Sequence, residues 1–157
     1  MKPEFIIGNE KTGILRKLEI YGISKIPYLL LRFGKDRIRA YSGNLNPNDI
    51  NKLYDNVYIE TIGIYFAKYD GNDIKLSVDA VHLLKEQITE NILELTDQQV
   101  AEYLMGRDVE LNKEQLSQTQ DKKIYFILKH NEDFLGMGKV SQGMLKNYLP
   151  KERRRRN

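Results

Sequence analysis

The tripeptide Asp70-Gly71-Asn72 sits between "GIYFAKY" and "DIKLSV", and it constrains the fold of this chain more than any other feature. An Asp-Gly pair accepts the positive dihedrals of a tight turn, so the flanking runs are predicted to pair as an antiparallel hairpin. A second hairpin is predicted where "YLLLRF" and "RIRAY" flank Gly34, Lys35 and Asp36. Between the two lies "NPNDINKLYD", with Asn46 placed to cap a helix and Pro47 at its first position, where a missing N–H costs nothing. Asp79 can cap a further helix over "AVHLLKEQ". Hairpins interleaved with short helices predict an α+β unit built on an antiparallel sheet.

Near Gln87 to Asn91 the apolar pattern lapses and the composition turns acidic, which divides the chain into units of 1–88 and 89–157. In the second unit "ILEL" reads as a strand. Thr96 and Gln99 form a capping box for "DQQVAEYLM", and Gly106 ends that helix. "DVELN" and "KKIYFILKH" are strand-like, "NED" turns the chain, and "FLGMGKVS" is read as the last strand, with Gly136 and Gly138 marking a bulge or a close backbone approach. This unit is predicted to be mostly β with one early helix.

Composition removes whole classes of chemistry. There is no cysteine, hence no disulfide, thiolate nucleophile or thiolate metal site, as suits a reducing cytoplasm. The longest apolar run, "YLLL", is too short to span a bilayer, and the first residues lack the apolar core of a signal peptide, so a soluble cytoplasmic protein without a membrane partner is expected. His82 and His130 have no G-x-S-x-G elbow or ligand cluster around them and read as structural or solvated. Gly136 and Gly138 lack the third glycine of a dinucleotide fingerprint, and no long helix follows. No catalytic signature, cofactor or metal set is found, and no small-molecule substrate is expected.

Charge is more informative in its distribution than in its sum of +3. Residues 89–121 hold two basic side chains against eight acidic ones, whereas residues 122–157 hold ten against three. In that last stretch Lys139, Lys146, Lys151, Arg153, Arg154, Arg155 and Arg156 alternate with apolar residues and with Tyr148. Cations for phosphates beside an aromatic face for a base suit RNA, and arginine adds forked phosphate contacts. A disordered, solubilising tail is an equally good reading of the same residues. Arg107, directly after Gly106, either faces RNA or pairs with a nearby carboxylate such as Asp108 or Glu110.

"VAEYLMGRDVELN" followed by "KIYFILKHNEDFLGMGKVS" resembles the PUA domain, named for pseudouridine synthases and archaeosine transglycosylases. The resemblance implies a small β pseudobarrel that binds RNA. "MKP", "DRIRAYSGNL" and "IGIYFAKYDGNDIKLSVDAVHLL" extend it, looking like the Nip-seven family of large-subunit ribosome biogenesis factors or a related archaeal group of PUA proteins. That family implies a non-catalytic protein that binds precursor ribosomal RNA beside other assembly or RNA-processing proteins. Arg107, Lys139, Lys146, Tyr148, Lys151 and the four terminal arginines are the expected RNA contacts, although the arginine tail is not a general feature of the family. The alternative is an accessory RNA-binding subunit or relative of an RNA-modification enzyme. "EFIIGNEKTGILRKLEIYG" departs from the family in being shorter and richer in glycine than its long first helix.

Overall fold

Two five-stranded sheets share the chain in sequence order, described here from a computed structural model over residues 1–156. The first sheet contains β1 (Glu4–Ile6), β2 (Leu29–Phe33), β3 (Arg37–Tyr41), β4 (Ile64–Asp70) and β5 (Asp73–Leu76), paired antiparallel in that order. Both predicted hairpins are present, and the Gly71 turn, at φ +59°, sets Asp70 opposite Asp73. One face of this sheet presents Leu30, Ile38, Ala67 and Leu76. Against it pack Ile14 and Leu18 of α1 (Gly8–Leu18) and Ala80, Val81 and Leu84 of α3 (Val78–Leu84). Helix α2 (Pro47–Asn56) starts as predicted, with the Asn46 side chain accepting from the Asp49 N–H at 2.9 Å.

One cap differs. Ser77, not Asp79, caps α3, because its hydroxyl accepts from the Ala80 N–H at 3.0 Å while donating to the Tyr65 carbonyl at 2.7 Å. Asp79 occupies the first turn instead, where a carboxylate meets the positive end of the helix dipole.

The second sheet contains β6 (Ile92–Glu94), β7 (Val109–Glu110), β8 (Tyr125–His130), β9 (Asp133–Ser141) and β10 (Met144–Lys146), in the order β6-β8-β9-β10-β7. Among the described residues it does not close into the expected pseudobarrel. Strand β6 runs parallel to β8 at one edge and β7 pairs only with β10 at the other. Helix α4 (Asp97–Leu104) has both bonds of the predicted Thr96 and Gln99 capping box and ends at Gly106, φ +83°. A second helix, α5 (Lys113–Thr119), and the short β10 were not expected. Asn112 and Gln115 build another capping box for α5, and Gln142 and Gly143, both at positive φ, turn β9 into β10.

Strand β8 explains why "IYFIL" is apolar without alternation. Tyr125 and Ile127 enter the core that includes α1 and α3, while Phe126 and Leu128 enter a second core with Leu93, Tyr103, Val109, Leu145 and Leu149. A strand buried on both faces carries side chains for both. Its partner β9 bulges at Leu135, and Gly136 at φ +116° lets Val78 of α3 approach, since a Cβ there would lie 3.1 Å from Val78 Cγ2. Gly138 makes room for Leu145, 2.6 Å from where its Cβ would stand. The two glycines are therefore packing positions. Among the described residues no helix is long and apolar enough to cross a membrane.

Candidate nucleic-acid interface

The C-terminal segment is fastened before its arginines begin. Asn147 donates from Nδ2 to the carbonyls of Tyr103, at 2.7 Å, and Arg107, at 2.8 Å, and its backbone N–H donates to Asp108 Oδ1 at 2.9 Å. That backbone bond, with Lys146 beside it, holds the Asp108 carboxyl below its ordinary value. Leu149 is buried in the second core, and a 3₁₀ turn at Lys151–Arg153 follows Pro150.

The four arginines then divide by environment. Arg153 pairs with Asp79 at 2.9 Å. Arg154 donates from Nε to the Leu149 carbonyl at 3.0 Å, and its stem covers Gly106, where a Cβ would stand 2.5 Å from Arg154 Cδ. The Arg155 N–H reaches the Leu104 carbonyl at 2.7 Å, satisfying a helix-end acceptor of α4. Lys151, Arg155 and Arg156 are exposed and form no ion pair among the described residues. The tail is thus a docked strap, with Arg154 in a packing role and the side chains of Lys151, Arg155 and Arg156 left for solvent or a ligand.

Arg107 is exposed and pairs with neither Asp108 nor Glu110, and Asp108 takes Lys146 instead, at 3.3 Å. Lys139 and Lys146 are direct cross-strand partners, and Tyr125 is the partner of Lys139 on its other side. Tyr125, Lys139 and Lys146 therefore form one row across β8, β9 and β10. The Lys139 ammonium lies 5.2 Å from the Tyr125 ring centroid and 3.9 Å from Asp70, while the Tyr125 hydroxyl donates to Asp70 at 2.5 Å. Burial, followed by that bond to Asp70, pushes the Tyr125 hydroxyl pKa up.

Tyr148 is 41% exposed, but it is not a free platform: Lys75 Nζ sits 4.1 Å from its ring centroid, and Tyr125 meets it edge-on at 6.0 Å. The structure thus places Lys139 and Tyr148 against Tyr125, with Lys146 next along the row and Arg107 and the strap at the end of α4. Tyr125 is 3% exposed, as a tyrosine in an unbroken apolar run suggests, and what the sequence does not show is that its hydroxyl and ring edge meet Asp70 and Lys139.

Known proteins match this half of the chain most clearly. Residues 90–155 match the PUA domain of the methyltransferase RsmF. The chain is also 31% identical over 108 residues, 69% of its length, to the ribosomal RNA small subunit methyltransferase F of Shewanella oneidensis. It spans 22% of the length of that relative. A match of 108 residues is longer than the stretch from residue 90 to the end, so it reaches into the first unit as well. The second unit therefore carries a PUA-like domain of the RsmF type.

Proposed function

We propose that this chain is a cytoplasmic RNA-binding protein that performs no chemistry of its own and serves ribosomal RNA as an accessory module of the RNA-modification kind. The observation that carries this reading is a coincidence in place. The residues matching the RsmF PUA domain also hold the Lys139 and Lys146 row, exposed Arg107 and the arginine strap. Cations spaced along a surface suit a phosphate backbone. The histidines support the non-catalytic part: His82 Nε2 hydrogen-bonds the Phe134 carbonyl at 2.7 Å and His130 bonds Asp97 at 2.6 Å, so each ties two elements together.

A second reading, a Nip-seven-like assembly factor on precursor ribosomal RNA of the large subunit, is favoured by the α+β unit that precedes the PUA-like one. Crosslinking the full chain to RNA in cells and sequencing the bound RNA separates the two. Enrichment of small-subunit rRNA, together with copurification of a methyltransferase, supports the accessory module. Enrichment of large-subunit precursor supports the assembly factor, and no enrichment of ribosomal RNA overturns both.

A further inference from the structure

The outer face of the first sheet carries a second row of cations that the PUA-like unit does not account for. Register places Phe33 opposite Arg37, Arg37 opposite Lys68, and Lys68 opposite Lys75. Directly opposed residues share a face, so one aromatic and three cations cross β2, β3, β4 and β5 in a line. Neighbouring strands lie on the order of 5 Å apart, inside a Debye length of about 8 Å at physiological salt, so these charges repel. Like charges placed directly opposite destabilise a sheet. Asp36 answers one of them, pairing with Lys68 at 3.4 Å, while Arg37 and Lys75 make no ion pair among the described residues. Arg39, on the same face, is turned aside to the carbonyls of Ile62 and Gly63.

The row opens on a groove of about 590 Å³, lined by Phe33, Arg37, Tyr65 and Lys68 and walled by Pro150 and Glu152 of the C-terminal strap. Its far end does not stop at the sheet edge. Lys75 lies over Tyr148, Tyr148 meets Tyr125, and Tyr125 begins the row through Lys139 and Lys146. The two cation rows are thereby joined at half-exposed Tyr148, with Tyr125, buried, as the contact behind it.

We infer that single-stranded RNA is bound along one surface running across both sheets, with Arg37, Lys68 and Lys75 of the first unit contacting phosphates and Phe33 and Tyr65 offering ring faces to bases. This rests on the RNA-binding reading above and adds to it a first unit that binds RNA rather than merely preceding the domain that does. The repulsion built into the row is relieved when a polyanion lies on it, as it would be by phosphates spaced along a strand. The aromatic side chains in the groove favour a strand with exposed bases over an acidic polypeptide.

The test is titration of the full chain against a fluorescein-labelled oligouridine across a series of salt concentrations. In the triple variant Arg37→Gln, Lys68→Gln, Lys75→Gln, the slope of log affinity against log salt becomes shallower by about 2, at roughly 0.7 per cation. Its melting temperature stays equal or rises. The single variant Arg37→Gln, at an exposed position, shows about a third of the change in slope and covers the case of a triple variant that folds poorly. Unchanged affinity and slope in both, while Lys139→Gln with Lys146→Gln weakens binding, overturns the composite surface and leaves the PUA-like unit as the RNA binder. No oligouridine binding by the wild-type chain overturns the RNA reading itself. Competition by polyglutamate as effective as that by unlabelled oligouridine assigns the row to an acidic polypeptide and overturns the inference.

Discussion

Replacing Gln99 by leucine tests how the second unit is held together. Gln99 and Gln115 are 8% and 5% exposed, and each is the third residue of its own helix, in capping boxes that meet back to back. Each amide donates to the other's carbonyl oxygen at 2.8 Å. Gln99 also donates to the Glu110 carbonyl and accepts from the Thr96 N–H, and Gln115 donates to the Glu94 carbonyl and accepts from the Asn112 N–H, each at 2.8 to 3.0 Å. All four hydrogen-bonding positions of each amide are thereby used.

Leucine at position 99 removes four of those bonds. Thr96 and Glu110 line an open groove and can regain water. The buried Gln115 cannot, and it is left with one donor and one acceptor unmet. At about 1 to 3 kcal/mol for each orphaned group, with some relaxation of the Gln115 side chain, the expected loss is about 3 kcal/mol. That is a large part of an ordinary domain's stability, and it lowers the melting temperature by about 6 to 12 °C at this chain length. Gln115→Leu costs a similar amount. The double variant costs less than the two losses added, by about 1 kcal/mol or more, because the mutual bonds vanish once and no orphan remains. Urea unfolding of the four proteins, followed by circular dichroism, measures the cycle. Single losses below 1 kcal/mol, or strict additivity, would refute the claim that the two amides act as one buried unit.

Burial, with Lys68 nearby and Asp70 opposing, lowers the Lys75 ammonium from 10.5 to about 8. Between about pH 8 and 10.5 the unfolded chain holds a proton that the folded chain has released, so Lys75 makes stability rise with pH in that window. Lys75→Met should flatten that rise, and an Nζ titration by NMR that finds Lys75 still charged at pH 10 would contradict it. Gly106→Ala should cost about 1 to 3 kcal/mol, from a strained positive φ and from contact with the Arg154 stem, and Arg154→Ala should recover part of the loss by clearing the contact. Equal losses with and without the arginine side chain, measured by urea unfolding, would remove Arg154 from that role. Deleting residues 153–157 should lower the melting temperature by a few degrees, because it removes the Arg155 to Leu104 bond and the Arg153 to Asp79 pair. Arg155→Gln with Arg156→Gln should leave melting unchanged while making the RNA salt slope shallower by about 1. A deletion that melts like the wild type would show the strap to be undocked in solution.

Local signals in the sequence carried much of this structure, and they carried it where backbone chemistry is decisive. Asp-Gly turned β4 into β5, Asn-Pro opened α2, and Thr96 with Gln99 opened α4 with both reciprocal bonds in place. Asn112 and Gln115 carry the same spacing, but "NKEQLSQTQ" offers so little apolar surface that its helix is not visible without the Gln99 partner that buries one end of it. Openness of the second sheet was beyond the sequence for a different reason. Whether two edge strands meet is decided by twist and by how many residues each edge offers, and β7 has two.

The candidate surface shows the same division between what is local and what is not. Once the Gly71 turn sets Asp70 opposite Asp73, Lys68 must oppose Lys75, so half of the first cation row follows from a turn legible in the sequence. Its continuation does not, because nothing near Lys75 in the chain foretells Tyr148 over its ammonium. That contact exists because β8 sends Tyr125 and Ile127 into the first unit's core while Tyr21 donates to the Tyr125 carbonyl at 2.7 Å, fixing one sheet against the other. Met137 of β9 adds its side chain to the same core and accepts from the Leu76 N–H at 3.3 Å. Cutting the chain between its sheets would expose Tyr125, Ile127 and Met137, so a surface continuous across both sheets has to be tested on the full chain. On the proposed surface, the same shared core would present two rows of cations to one strand in a fixed relation, without the entropy of bringing two loose domains together.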